Sequence, residues 1–147
     1  MKSTERGVNL FKNGFNCAQA VLFSLKKQTG LSEDDSVRLA TGFGAGMGRT
    51  QHVCGAISGG ILALNVLYGR GLDEDKERQE DVYRKIRDLI HRFEEMNNTI
   101  ICNELLEGCD LQSEEGQNRF HSQNMAERCH GFISSVIELT EEVINAG

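Results

Sequence analysis

Cys54 opens the run Cys54-Gly55-Ala56-Ile57-Ser58-Gly59-Gly60, and four further cysteines, Cys17, Cys102, Cys109 and Cys129, are scattered along the chain. Such residues offer thiolate chemistry: metal ligation, disulfide exchange, or electron transfer through a bound centre. A cysteine at the mouth of an apolar helix sits where backbone N–H groups and the helix dipole favour a negative sulfur. Cys54 is therefore expected as a low-pKa attacking thiolate, with another of the chain's cysteines as resolving partner. Cys54 and Cys17 head that dithiol reading. Separations of 37, 48 and 27 positions between Cys17, Cys54, Cys102 and Cys129 create no close pair of the kind found in zinc ribbons, ferredoxin loops or thioredoxin-like sites. Spacing alone argues against a metal, and free cysteines also serve as small buried hydrophobes.

Other polar residues carry less chemistry. His52 and His130 lie two and one positions from a site cysteine, as ligands in reserve or modulators of a thiol, although the residue after Cys129 on a helix points about 100° away. A solvated surface is expected for His130. Arg49 is a counter-charge for a thiolate or a partner in a salt bridge. Glu94-Glu95, Glu114-Glu115 and Glu141-Glu142 are adjacent rather than three or four apart, which suits solvated faces better than acid/base pairs. The alternating Gly42, Gly44, Gly46 and Gly48 never make GxGxxG, because Met47 and Arg49 stand where the last glycine belongs. They read instead as a flexible or closely packed segment with accessible N–H groups.

The elements that must position these residues are helical. Proline is absent, and apolar residues recur at helical rather than alternating spacing. The expected fold is all-α, one domain over residues 1–147, a bundle of about five to six helices around a central glycine-rich apolar helix. Helices are expected over 4–13, 16–29, 32–41 behind the Ser32 cap, 53–68, 73–97 and 123–144, with a short turn at 102–106 and a polar connection before the last helix. The 53–68 segment is apolar nearly all round and belongs at the centre. At 147 residues the chain needs no disulfide or metal to fold.

A formal charge of −6 argues against nucleic acid as a partner. No segment is long and apolar enough to span a membrane. The odd cysteine count and the lack of a signal-peptide stretch at Met1-Lys2-Ser3-Thr4 point to a reducing cytoplasm.

Taken in order, the segments Gly14-Phe15-Asn16-Cys17-Ala18, Gly42-Phe43-Gly44-Ala45-Gly46-Met47-Gly48-Arg49, Cys54-Gly55-Ala56-Ile57-Ser58-Gly59, Cys102-Asn103-Glu104-Leu105-Leu106 and Cys129 resemble the redox-active C_GCAxxG_C_C family of small bacterial and archaeal proteins. The resemblance implies Cys17, Cys54, Cys102 and Cys129 as the site and Cys109 as a spectator. A similar cysteine-bearing region occurs in split-Soret cytochromes with a non-haem iron–sulfur centre. The resemblance thus implies a cluster on these four residues, used to exchange electrons with a redox protein partner. Covalent c-type haem is not implied, because Cys-x-x-Cys-His is missing. Zinc, no metal, a thiol switch, a homodimer, and a partner-binding or transport-accessory module stay open as alternatives.

Overall fold

The structure, a computed structural model, describes residues 1–147. Local sequence signals set the helix ends. Asn16 caps α2 (Cys17–Ser24) with a reciprocal box, its side chain accepting from the Gln19 N–H at 2.9 Å while the Gln19 side chain accepts from the Asn16 N–H at 2.9 Å. The same Gln19 amide donates to Val37 O at 3.0 Å and so fastens α2 to α4 (Glu33–Ala40). Ser32 caps α4 through the Asp35 N–H, ahead of three acids that suit the positive helix end. Asn98, at φ 71°, closes α6 (Lys76–Asn97). Chain order is completed by α1 (Ser3–Lys12), α3 (Lys26–Thr29), α5 (Gly55–Tyr68), α7 (Cys102–Leu105), α8 (Glu114–Ser122) and α9 (Ala126–Asn145).

The fold is all-α, and the pairing of Val53 with Ile101 is an isolated bridge. Nine α-helices stand where five to six were expected. Part of the difference is subdivision: the 16–29 helix breaks at Leu25, whose ψ of 17° leaves the helical region, giving α2 and α3. The larger correction is α8, which occupies the expected polar connection. Its only fully buried residue is Gly116, so no apolar stripe announced it. Its start is nevertheless written locally, in Ser113 accepting from the Gly116 N–H at 2.9 Å and in Glu114 and Glu115 of the first turn.

Helix α5 lies at the centre, packed on α2, α6 and α9. Two glycine faces make this approach close. A methyl at Gly59 would stand 2.7 Å from Ala18 O and 2.9 Å from Val21 Cβ of α2, and one at Gly60 would stand 2.7 Å from Thr140 Oγ1 and 2.9 Å from Val136 Cγ1 of α9. The α5 backbone is therefore packed against the α2 backbone on one side and against side chains of α9 on the other. One core of buried residues runs through these contacts, with Leu22, Leu25, Ile57, Leu64, Leu89, Phe93, Ile133 and Ile137 at its heart. No helix is long and apolar enough to cross a membrane.

Candidate functional site

Four of the five cysteines stand at the N-terminal ends of helices. Cys17 is the first residue of α2, Cys54 the N-cap of α5, Cys102 the first residue of the single turn α7, and Cys129 lies in the first turn of α9. All four line one pocket of about 140 Å³, walled otherwise by Phe11, Leu105, Leu106, Leu111, Phe120 and Phe132, with Asn16, Ala45 and Gly55 completing the lining. An apolar cavity of ~150 Å³ admits a benzene-sized guest. The lining contains no carboxylate and no base. No three acidic, histidine or cysteine side chains are gathered tightly enough to clasp a single ion; the sulfurs stand around the wall instead.

A strained loop joins α4 to this site. Ala45, Gly46, Met47, Gly48, Arg49 and Gln51 all have φ between 50° and 74°. Left-handed backbone costs a non-glycine residue about 1–2 kcal/mol, so the surroundings must hold this run in place. Hydrogen bonds inside the loop do part of that, with Gly48 N–H on Gly42 O at 2.9 Å, Gln51 N–H on Ala45 O at 3.0 Å and His52 N–H on Gly46 O at 2.9 Å. Those N–H groups face carbonyls of the loop, which corrects the expectation of an accessible row of donors. Gly46 is required here: a methyl on it would stand 2.5 Å from Gln51 Cα.

The segment after the loop delivers Cys102. Cys54 N–H donates to Ile100 O at 2.7 Å, Cys102 N–H to His52 O at 2.6 Å, and Asn103 N–H to Gln51 O at 3.1 Å. Gln51 is a residue the sequence reading missed. It is 4% exposed, and its side-chain amide donates to Cys109 O at 2.7 Å while its amide oxygen accepts from the Leu111 N–H at 2.8 Å. The amide also lies against the Cys102 sulfur, where it eases ionisation. A glutamine among polar loop residues carries no periodic signal, so nothing in the sequence marked it.

Burial dominates the thiols. It pushes Cys54 up to about 12, against the partial relief of the Ala56 and Ile57 N–H groups. The expected low-pKa thiolate at Cys54 is thus overturned, because desolvation of the charged form outweighs the helix end. Those two N–H groups are the backbone donors to its sulfur. Burial and the neighbouring Cys129 push Cys102 up to about 11. Cys17 and Cys129 behave as a pair: they share a proton, which holds Cys17 well above the ordinary thiol value and Cys129 below it.

These positions give the reduced, metal-free protein a definite pH dependence. An unfolded chain releases its thiol protons near pH 8.5, whereas folded Cys54 keeps its proton to about 12. Across that interval the unfolded state binds fewer protons, so stability falls as pH rises, by roughly 1.4 kcal/mol per pH unit for each such thiol. The guanidinium midpoint should be flat with respect to these thiols below pH 8 and fall steeply towards pH 11. Cys54→Ser should show a shallower fall, and an equal slope in the two proteins would contradict the assignment.

Cys109 is buried but absent from the pocket wall, and its thiol donates to Gly116 O at 3.1 Å. His52 and Arg49 do not line the pocket either; the His52 Nδ1 is 3.2 Å from Thr50 Oγ1. His130 is half-buried, in edge contact with the Phe11 ring at 5.4 Å between centroids, rather than the solvated residue expected.

The family model described as "Putative redox-active protein (C_GCAxxG_C_C)" matches residues 15–143. An uncharacterized protein of Archaeoglobus fulgidus is 27% identical over 146 residues, covering 95% of this chain and 91% of its own length. No solved structure matches.

Proposed function

The chain belongs to the C_GCAxxG_C_C family, and we propose that it is an electron carrier whose Cys17, Cys54, Cys102 and Cys129 hold an iron–sulfur cluster. One observation carries this reading: the N-terminal ends of α2, α5 and α9, with the turn α7, present four sulfurs to a single apolar pocket. Four thiolates together make an anionic group, and a site with no carboxylate and with positive helix ends turned towards it suits that charge. The donor set fits as well, since four cysteines are what such clusters require.

When bound, the cluster supplies a reversible electron couple. The chain does the rest. Each thiol gives up its proton to become a ligand, so loading releases protons and weakens as pH falls. The Ala56 and Ile57 N–H groups, aimed at Cys54, and the Gln51 amide, against Cys102, hold negative charge on two of the sulfurs. The three phenylalanines and three leucines of the wall keep water away, which sets the local dielectric and with it the potential. A redox protein is the partner this chemistry calls for.

Iron, sulfide and zinc should be measured on protein isolated without oxygen, with a visible spectrum of the same sample. Stoichiometric iron and sulfide are expected, lost in Cys54→Ser and kept in Cys109→Ser. Zinc without sulfide, or no metal from anaerobic cells and none after reconstitution with ferrous iron and sulfide, would end this reading.

A further inference from the structure

Each of the four pocket cysteines is at most 9% exposed, so a guest that touches them all needs part of the wall to move. The wall has two sources. Cys17, Cys54 and Cys129 stand on α2, α5 and α9, which pack on one another, whereas Cys102, Leu105, Leu106, Leu111 and Phe120 come from one stretch, residues 99–123. That stretch lies between two asparagines with left-handed backbone, Asn98 at φ 71° and Asn124 at φ 52°. Its helices α7 and α8 lie outside the main helix packing. Internal bonds make it one piece: the Cys109 thiol donates to Gly116 O at 3.1 Å, Gln117 Nε2 to Leu111 O, and the Arg119 guanidinium to Glu107 O at 3.3 Å. One edge is fastened to α9 by Arg128, whose guanidinium meets the Glu107 carboxylate at 3.1 Å and Leu105 O at 3.4 Å. Both side chains of this ion pair are exposed, at 43% and 61%. A surface hollow that includes them shares Leu105 and Phe132 with the pocket wall, so the clasp stands just outside it. The other edge rests on the glycine loop and the residues after it, through the Gln51 and Gln112 side chains and the main-chain bonds of Cys54 N–H to Ile100 O and Cys102 N–H to His52 O.

We propose that residues 99–123 form a lid that opens as a unit about Asn98 and Asn124, with the Arg128–Glu107 ion pair as its latch. A few residues at element ends suffice to absorb such a motion, and lids are drawn from the parts of a fold with the lowest local stability. The bundle need not unfold, because α2, α5, α6 and α9 pack on one another without the lid. Opening uncovers Cys17, Cys54 and Cys129 on the standing bundle and carries Cys102 away. The four-sulfur set therefore exists only in the closed form. Closing returns Cys102 together with Leu105, Leu106, Leu111 and Phe120, so the site is completed and water is shut out in one movement. The latch is ionic and exposed, so it adds little to the stability of the fold and yields to salt. Its effect falls on how often the pocket is open. The inference goes beyond the cluster reading and does not depend on it, since any guest of the pocket must pass the lid.

The test follows alkylation of the reduced, metal-free full chain by iodoacetamide, mapped site by site by mass spectrometry, at denaturant concentrations below the unfolding transition. The four pocket cysteines should react at similar rates, with a denaturant dependence well below that of global unfolding, because opening exposes only the lid and the pocket. Glu107→Gln should speed all four by about 1.5- to 5-fold, the worth of an exposed ion pair. Arg128→Gln also loses the bond to Leu105 O and should speed them at least as much, and the double variant should match it. High salt should quicken the wild type and leave the double variant unchanged. Gly131→Ala on α9, whose added methyl meets nothing within 4 Å, should raise the melting temperature without slowing alkylation, since α9 stays folded in the open form. Rates that track global unfolding in denaturant, or that slow in Gly131→Ala, overturn the lid. So does acceleration confined to one cysteine, and rates unchanged in both latch variants overturn the proposal as well. Iron and sulfide loading is read on a separate sample. A protein that alkylates as described and takes no iron loses the cluster alone, and one that takes iron but alkylates only by global unfolding loses the lid alone.

Discussion

Gly59→Ala lowers the melting temperature by roughly 4–8 °C, which for a chain of this size corresponds to about 2 kcal/mol. The added methyl has nowhere to go, because Ala18 O is 2.7 Å and Val21 Cβ is 2.9 Å from where it would stand. The first of these is a backbone atom and cannot rotate aside. Overpacking of this kind costs about 1–3 kcal/mol, and here the whole of α2 must shift to relieve it, so the upper end applies. Against it stands the gain of about 1 kcal/mol that alanine has over glycine inside a helix. Gly131→Ala in α9 isolates that gain, since nothing lies within 4 Å of its added methyl; it should raise stability by about 0.5–1 kcal/mol. Opposite signs in thermal melts of the two variants are the expected result. A neutral or stabilising Gly59→Ala would mean that α2 and α5 are not packed as described. The consequence reaches the site, because α2 starts with Cys17 and α5 is capped by Cys54. Pushing the helices apart moves the two sulfurs apart, and thiol or metal chemistry in the pocket should weaken in the same variant.

That link between packing and chemistry explains which parts of the molecule were legible in the sequence. The apolar period of α6 and α9 and the all-round apolarity of α5 gave the bundle and its centre, because burial of a helix face leaves a repeating mark. The glycines of α5 were visible as small residues, but which face each one clears was not. Gly59 answers to α2 and Gly60 to α9, and that division is a property of the assembled bundle. Helix α8 was missed for the converse reason: it buries Gly116 rather than an apolar stripe, so periodicity had nothing to register.

The site was half legible. The four cysteines were marked by type, by the Cys54-Gly55-Ala56 run and by the family pattern, while their gathering around one pocket required four separate helix starts to converge. Electrostatics ran against the local expectation at Cys54. A helix N-terminus favours a thiolate only where the charge stays partly solvated, and Cys54 as a residue is 5% exposed. Desolvation depends on the rest of the fold, so no reading of the residues next to Cys54 reveals it. The pairing of Cys17 with Cys129, 112 positions apart, is likewise a product of α2 lying against α9.

Gln51→Met should be among the most damaging side-chain changes in the loop, costing roughly 2–6 kcal/mol. Methionine matches the length of glutamine and keeps the side chain buried, but it neither donates to Cys109 O nor accepts from the Leu111 N–H. Both main-chain groups are then left without the side-chain partners they have at 2.7 and 2.8 Å. A buried group stripped of its partner costs about 1–3 kcal/mol, and two are stripped here. The left-handed backbone at position 51, with φ 61°, remains to be held by fewer contacts. Two controls divide the effect. Gln51→Gly loses the same hydrogen bonds but relieves the backbone, so it should be less destabilised than a cavity-forming change at a relaxed position. Gln51→Glu keeps an acceptor for Leu111 but removes the donor and sets a carboxylate beside buried thiols, so it should recover little near neutral pH. Denaturant unfolding measures the loss, and hydrogen exchange at Asn103 and Leu111 locates it. If Gln51 is only a spacer, Gln51→Met will unfold at the wild-type midpoint with those amides equally protected. If it braces the turn that carries Cys102, those amides will exchange faster than the α9 core. On the proposed cluster reading, iron loading of the four-cysteine pocket then weakens by about 10–100-fold, the usual penalty for losing a group that orients a ligand.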